Sequence, residues 1–275
     1  MIIESQSGPL YFELSGEGPP IVFVSGWALS CECWRLVVAR LEDKHRCLIY
    51  DARGVGRSQP ASIDARFTIE DHAEDLHSIL EYAGVYDAVL VGHDVGALVA
   101  ARCAQAHPQH FRALVVVSPR RGLAPEDIKS LAVLTPASLA LRELANYPLI
   151  RNLVTRRFRR APQPYRDRLY SDFANLSPRA AYETALSASE GESAGALHQF
   201  IERSASPSLI ICGEKDKKGS AEARRLFAIA RAAKLGTIGD CGFLPMLEYA
   251  GQFTKLIDEF IGDGSTNRRS LQQPR

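Results

Sequence analysis

The sequence has little net charge and no run of apolar residues long enough to cross a bilayer. It contains 33 lysine and arginine residues against 32 aspartate and glutamate residues, which gives a formal net charge of +1. This balance argues against a nucleic-acid-binding surface, and the lack of a long apolar run argues against a membrane-spanning helix. We therefore expect neither nucleic acid nor a membrane as a partner.

The N-terminal residues show no signal-peptide pattern, and the cysteines are few and scattered. Residues 1–5 have neither the basic segment nor the apolar core of a secretory leader. The six cysteines are scattered, and several lie in apolar runs, which predicts reduced and mostly buried thiols. Both features predict a cytoplasmic protein. Cys31 and Cys33 form too short a unit to specify a metal site, and we expect no metal and no organic cofactor.

Short apolar runs alternate with helical patterns along most of the chain. The continuous runs favour strands buried on both faces of a parallel sheet. They lie at residues 21–24, 47–50, 88–91, 113–117 and 208–212, with a strand before them at 10–14 and a weaker one after them at 234–238. Helices are predicted between them, including residues 221–233 and a closing helix at 251–261. This alternation predicts an α/β fold with a mostly parallel, doubly wound sheet.

One stretch interrupts the alternation. Residues 122–204 show helical periodicity and no strand pattern, which fits an insertion between two core strands. We therefore predict a core formed by residues 1–121 and 205–262, a helical cap at 122–204 and a disordered polar tail at 263–275.

The most informative segment is the turn from Gly92 to Gly96, which reads Gly-His-Asp-Val-Gly. It follows a buried strand and precedes a helical run, the arrangement of a nucleophile elbow. The two glycines permit a strained turn and close packing of the helix on the strand. The turn presents Asp94 at a helix N-terminus, beside backbone N–H groups.

The sequence resembles the α/β-hydrolase superfamily over roughly residues 10–262. Four motifs carry the resemblance, in this order: Ser25-Gly26-Trp27, Asp51-x-Arg53-Gly54-x-Gly56-x-Ser58, the elbow at Asp94, and Gly213-Glu214-Lys215-Asp216. The resemblance implies an α/β-hydrolase fold in which the helical insertion is a cap over the pocket. It also implies an oxyanion site at the backbone amides of Trp27 and Val95, and a triad acid at Asp216.

The chain departs from this family at two catalytic positions. The elbow residue of this family is usually Ser. An Asp at this position, as at Asp94, resembles the elbow of haloalkane dehalogenases and epoxide hydrolases instead. The family's His near the C-terminus falls on Gly242, or on Phe243 if the loop is one residue shorter, and no His follows His198. In the resembled enzymes that His activates the water that hydrolyses an ester on the Asp. Without it, an ester on Asp94 would accumulate.

Several other residues are candidates for the pocket, each with a plainer alternative. Ser25 replaces the family's usual His, and either contacts substrate or stabilises a turn. His93 is expected to pack and hydrogen-bond rather than to replace the missing base. Arg120 follows a buried strand and either binds a substrate anion or is a solvated arginine. Asp216 has no His to orient and is expected to be a relic of the triad or to bond a neighbour.

Three hypotheses for function follow. The first is a cofactor-independent enzyme that acts on a small hydrophobic carbonyl compound from specialised metabolism. Its reaction would be non-hydrolytic, as in a lyase, isomerase, cyclase or decarboxylase. In it, Asp94 is an acid–base group or an anchor. The second is hydrolysis through an Asp94 ester with an unconventional base. The third is an inactive ligand-binding or signalling protein. Whether the chain forms a homodimer is left open.

Overall fold

The fold is built on a sheet of eight strands, seen in a computed structural model that describes residues 1–5, 8–59, 63–120, 161–189 and 193–263. The strands are β1 (Ile2–Ser5), β2 (Gly8–Ser15), β3 (Pro20–Val24), β4 (Arg46–Tyr50), β5 (Ala88–His93), β6 (Phe111–Val117), β7 (Ser208–Gly213) and β8 (Ala233–Ile238). Their order is β1-β2-β4-β3-β5-β6-β7-β8. β2 pairs antiparallel with β1 and β4, and every other pairing is parallel.

Helices cover both faces of this sheet. They are α1 (Arg35–Leu41), α2 (Ile69–Tyr82), α3 (Val95–Ala106), α4 (Gln163–Ala174), α5 (Pro178–Ser189), α6 (Ser193–Arg203), α7 (Lys217–Ile229), α8 (Pro245–Glu248) and α9 (Ala250–Gly262), with 3-10 turns at Cys31–Trp34 and Pro108–His110. Among the described helices, none has the length and apolar composition that a bilayer crossing requires. α2 and α3 pack together beneath one face, and α1 and α9 beneath the other.

Sequence patterns place most of these elements correctly. The buried strands β3 to β7 follow the predicted apolar runs, because strands covered by helices on both faces bury every side chain. α2 begins where Thr68 and Asp71 form a reciprocal capping box. The helix predicted at 221–233 is wrong at both ends, since α7 begins at Lys217 and ends at Ile229, before β8.

The part of the predicted cap that the structure describes is helical. Residues 161–189 and 193–203 hold α4, α5 and α6, and no strand occurs in those two ranges. The remaining part of the predicted cap, residues 121–160, lies outside the described residues, as do the tail residues 264–275. The division into core and cap therefore stays a prediction.

Candidate active site

The elbow lies at the carboxyl end of β5, which occupies the middle of the sheet between β3 and β6. Asp94 has φ 52° and ψ −120°, a backbone conformation that residues other than glycine rarely adopt. Its backbone N–H donates to the carbonyl of Val117 over 2.9 Å, which ties the turn to the end of β6. α3 begins at the next residue, Val95, so the half-buried Asp94 side chain stands at a helix N-terminus.

The two elbow glycines are required by close contacts of the backbone. A Cβ added to Gly96 would lie 2.3 Å from the carbonyl oxygen of Val24, at the end of β3. One added to Gly92 would lie 2.5 Å from the Cα of Ala97. Both distances are far below van der Waals contact. α3 can therefore approach the sheet this closely only because neither position carries a side chain.

A cavity beside the elbow brings together three of the predicted site residues. Ser25 and Trp27 line it from the loop after β3, and Val95 lines it from the first turn of α3. The backbone amides proposed as oxyanion donors, those of Trp27 and Val95, therefore belong to residues of one wall. Asp94 directly precedes Val95 in the sequence. Its side chain is not among the described groups that line the cavity.

The loop after β3 is held in place by its own side chains. The hydroxyl of Ser25 accepts a hydrogen bond from Trp34 Nε1 at 3.2 Å and donates to the carbonyl of Ser30 at 3.3 Å. Trp27 Nε1 donates to the carbonyl of Ala181 in α5 over 2.8 Å. These contacts favour the turn-stabilising alternative for Ser25. They also show that Trp27 joins the loop to α5.

The cavity is also lined by polar groups that the sequence did not single out. His72 of α2 and Thr184 of α5 line it together, with His72 Nε2 and Thr184 Oγ1 2.9 Å apart. Burial, assisted by the charge of Arg53, lowers the pKa of His72 to about 3. The imidazole is therefore neutral near pH 7 and a weak base. Tyr50 also lines the cavity, and burial raises its pKa well above the usual value.

Arg53, from the loop motif after β4, fixes that loop to neighbouring parts of the chain. Its Nε donates to Asp75 Oδ2 at 2.5 Å, and its two terminal nitrogens donate to the carbonyls of Arg66 and Asp71. Both members of the ion pair are buried. The guanidinium is thus fully engaged in fixing the loop to α2, although its side chain borders the cavity.

Gly242 and Phe243, where the resemblance predicts the catalytic His, lie in a packed loop. The backbone N–H of Gly242 donates to Glu248 Oε2 over 2.9 Å. The Phe243 ring lies 4.5 Å from the His93 ring, centroid to centroid, and His93 Nε2 donates to the Phe243 carbonyl at 3.0 Å. His93 is fully buried. This environment agrees with the expected packing and hydrogen-bonding role of His93.

Arg120 and Asp216 contact each other rather than the cavity. Arg120 Nη2 lies 2.9 Å from Asp216 Oδ1, and the guanidinium stacks 4.3 Å from the centroid of the Phe243 ring. Asp216 also caps α7 by accepting the backbone N–H of Gly219 at 3.2 Å. Asp216 thus bonds two neighbours, and Arg120 is paired with a carboxylate of the protein itself.

Comparison with known proteins agrees with this architecture. The profile of a protein family described as alpha/beta hydrolase fold matches residues 19–250. The chain belongs to this family, and the predicted fold is confirmed. An esterase from Thermogutta terrifontis superposes with a TM-score of 0.78 at 23% identity, covering 96% of this chain and 98% of that one. The enol-lactonase from Burkholderia xenovorans LB400 has a TM-score of 0.77 at 19% identity, covering 95% and 100%.

Curated relatives carry the names of hydrolases. The chain is 26% identical over 265 residues to 2-hydroxymuconate semialdehyde hydrolase of Pseudomonas sp. strain CF600, covering 90% of this chain and 89% of that protein. A protein of Azorhizobium caulinodans named as carbamate hydrolase RutD is 35% identical over 109 residues, which is 40% of each chain. The match to this relative thus spans less than half of its length.

Proposed function

We propose that this chain is a cofactor-independent enzyme that acts on the carbonyl group of a small, largely apolar molecule, with Asp94 as the group that moves a proton. One observation carries the proposal. Asp94 immediately precedes Val95 at the elbow, and Val95 lines the cavity together with Trp27. A carboxylate on the residue next to one of two such backbone amides suits proton transfer beside a developing oxyanion.

Hydrolysis is the reaction that the relatives' names favour. In this scheme the Asp94 carboxylate removes a proton from water, and the hydroxide adds to the substrate carbonyl. The resulting oxyanion accepts hydrogen bonds from the amides of Trp27 and Val95. Collapse of this intermediate expels the leaving group, which takes the proton back from Asp94, so the carboxylate is regenerated. The same groups would serve a non-hydrolytic proton transfer, but no relative named above supports that outcome.

The covalent route through an Asp94 ester is less well supported, because it needs a base for its second step. In the described residues, the cavity wall holds one imidazole, that of His72. Its low pKa and its contact with Thr184 make it a poor base at neutral pH. The loop at Gly242 and Phe243 offers no basic side chain.

The test uses a panel of small esters, lactones, enol esters and carbamates, with haloalkanes and epoxides as probes of the ester route. Asp94→Asn removes the ionisable group but keeps a residue that tolerates positive φ. Asp87→Asn is the matched control, because Asp87 also has positive φ, 51°, and lies before the opposite end of the same strand. We expect Asp94→Asn to lose at least a hundredfold in kcat/KM, and Asp87→Asn to match the parent protein.

Labelled water distinguishes the two routes. In a single turnover with excess enzyme in ¹⁸O water, direct attack places the label in the product. Hydrolysis of an Asp94 ester places it in the elbow peptide, and an ester that is not hydrolysed adds to the intact mass. Full activity of Asp94→Asn would remove Asp94 from the mechanism. Thermal shifts with substrate analogues and no product from any of the substrates would instead indicate a binding protein.

A further inference from the structure

A cluster of histidines lies at the end of the sheet opposite the elbow. It is formed by His77 on the last turns of α2, and by His107 and His110 in the connection from α3 to β6. Glu81, one helical turn after His77, faces the same point. The cluster borders the amino ends of β5 and β6, whereas the candidate active site lies at their carboxyl ends.

Three ligand-type atoms in this cluster converge. His110 Nε2 is 3.1 Å from His77 Nδ1 and 2.9 Å from Glu81 Oε1, and all three atoms lie within 4.8 Å of one another. Ligands of a tetrahedral zinc ion, bound at about 2.0–2.1 Å, are separated by about 3.3 Å. The observed separations are therefore close to those of one face of such a site. Two imidazoles and a carboxylate are also ligand types that zinc prefers.

Surrounding groups orient two of these ligands in the way that metal sites require. His110 Nδ1 donates to the carbonyl of Val85 over 2.6 Å. That bond places the proton of a neutral imidazole on Nδ1 and leaves the Nε2 lone pair facing Glu81 and His77. Tyr86 donates its hydroxyl to Glu81 Oε2 at 3.0 Å, which leaves Oε1 facing the cluster. Such outer contacts fix the tautomer and the orientation of ligands in known metal sites.

The arrangement places electron-rich atoms against one another unless a positive species lies between them. With the His110 proton on Nδ1, its Nε2 lone pair lies 2.9 Å from the Glu81 carboxylate. A proton can relieve this repulsion, and so can a divalent cation. The side chain of Glu81 is 44% exposed, so an ion from solvent can reach it. His107 stacks on His77 with ring centroids 3.6 Å apart and holds that ring in place.

A second group of possible metal ligands differs from the histidine cluster in how its charge is balanced. Glu13, Cys31 and Glu32 also bring their ligand atoms together. Their charges are already neutralised, however, because Arg35 and Arg57 each form ion pairs with both glutamates. No arginine or lysine forms an ion pair with Glu81 in the described residues. The histidine cluster is thus the better place for a cation.

We propose that His77, Glu81 and His110 bind a zinc ion, or a similar borderline divalent cation, with solvent in the fourth position. The ion would join the end of α2 to the segment that begins β6. Because α2 also carries His72 in the cavity wall, the site would stabilise the helix from the end remote from the reaction. This role is separate from the proposed catalysis, which uses no metal.

The experiment measures Zn²⁺ binding to the full-length, chelator-treated protein by calorimetry, together with thermal unfolding and the visible spectrum of the Co²⁺ form. We expect one ion per chain, a higher Tm with Zn²⁺ and the intense absorption of tetrahedral Co²⁺ without a thiolate band. The variants are His77→Gln and Glu81→Gln, both on partly exposed positions. The matched control is His198→Gln, since His198 also contacts a glutamate, Glu222, at 2.8 Å.

Each ligand variant should weaken zinc binding at least tenfold and remove the rise in Tm, whereas His198→Gln should bind as the parent does. Tyr86→Phe should weaken binding by about tenfold while keeping the cobalt spectrum, because it removes only an outer contact. Equal zinc affinity in the parent and both ligand variants would overturn the proposal. So would a thiolate band in the cobalt spectrum, or no binding at millimolar zinc.

Discussion

Arg120 and Asp216 form an ion pair of 2.9 Å between residues that are 96 positions apart in the sequence. Asp216 is the residue that the family resemblance predicts as the triad acid. Here a guanidinium neutralises that carboxylate, and the same guanidinium covers the ring of Phe243. The residue predicted as the triad acid thus has an arginine of the same chain as its partner. Asp216 is part of the packing at the carboxyl edge of the sheet.

The first prediction concerns the structural role of Asp216. Asp216→Ala removes both the cap of α7 and the charge that balances Arg120, whose side chain is 24% exposed. We expect the free energy of unfolding to fall by about 1–3 kcal/mol, as for the loss of a cap together with a charged hydrogen bond. Urea unfolding at pH 7 measures this change.

Asp216→Asn separates the two contributions. Its side-chain oxygen can still accept the N–H of Gly219, but it carries no charge for Arg120. It should therefore lose less stability than the alanine variant and keep kcat/KM within a few-fold of the parent. A large loss of activity in a well-folded Asp216→Asn protein would show instead that the carboxylate acts in catalysis.

The second prediction concerns the pH dependence of stability caused by His72. Its pKa is about 3 in the fold and near 6.5 when unfolded, chiefly because burial disfavours the charged form. Between these values the unfolded chain binds the extra proton. Stability is therefore complete above about pH 6.5 and is lost as the pH falls toward 3, by at most about 1.4 kcal/mol per pH unit from this group.

The variant His72→Gln isolates this effect, since glutamine can still bond Thr184 but does not titrate near neutral pH. Other groups with shifted pKa values, such as His45, contribute equally to both proteins. The difference in unfolding free energy between parent and variant should therefore change with pH from 7 to 5, in favour of the variant at pH 5. Parallel curves over this range would contradict a neutral, buried His72.

The sequence predicted the elbow well because its signals are local. Glycines two residues on either side of Asp94, an apolar strand before it and a helical run after it all lie within about twenty residues. The buried strands β3 to β7 were predicted from the same kind of local pattern, whereas their order in the sheet was not predicted. β1 was missed because Ile2–Ser5 is short and half exposed, so its side chains form no continuous apolar run.

The pairing of His72 with Thr184 in the cavity lining could not be predicted from local sequence patterns. His72 and Thr184 are 112 positions apart, and each occupies an ordinary place on its own helix. Only the packing of α5 over α2 brings them together. Arg53 was recognised as part of a loop motif, yet its partner Asp75 lies in a helix whose burial the sequence does not specify. Pairwise contacts of this kind depend on tertiary packing.

The third prediction tests the buried pair of Arg53 and Asp75. Asp75→Ala leaves the Arg53 guanidinium buried without its carboxylate, and should lower the free energy of unfolding by about 3–5 kcal/mol. The double variant Arg53→Met, Asp75→Leu removes both charges and keeps the volume. It should recover part of the lost stability, measured by urea unfolding. Equal losses in the single and double variants would show that repacking, rather than an isolated charge, dominates the cost.

The last prediction concerns the close approach of α3 to β3. Gly96→Ala places a Cβ 2.3 Å from the Val24 carbonyl oxygen, and since that atom belongs to a central strand, the helix must move. We expect a loss of more than about 2 kcal/mol in stability. Because movement of α3 displaces the amide of Val95, kcat/KM should fall further than stability alone explains.

Gly251→Ala is the matched control, since Gly251 lies in α9 and an added Cβ meets nothing within 4 Å. It should raise stability by about 0.5–1 kcal/mol through helix propensity and leave activity unchanged. Thermal unfolding and steady-state kinetics of both variants give the comparison. If Gly96→Ala were as stable and as active as Gly251→Ala, the tight contact at the elbow would not be what positions Asp94 and the amides proposed as oxyanion donors.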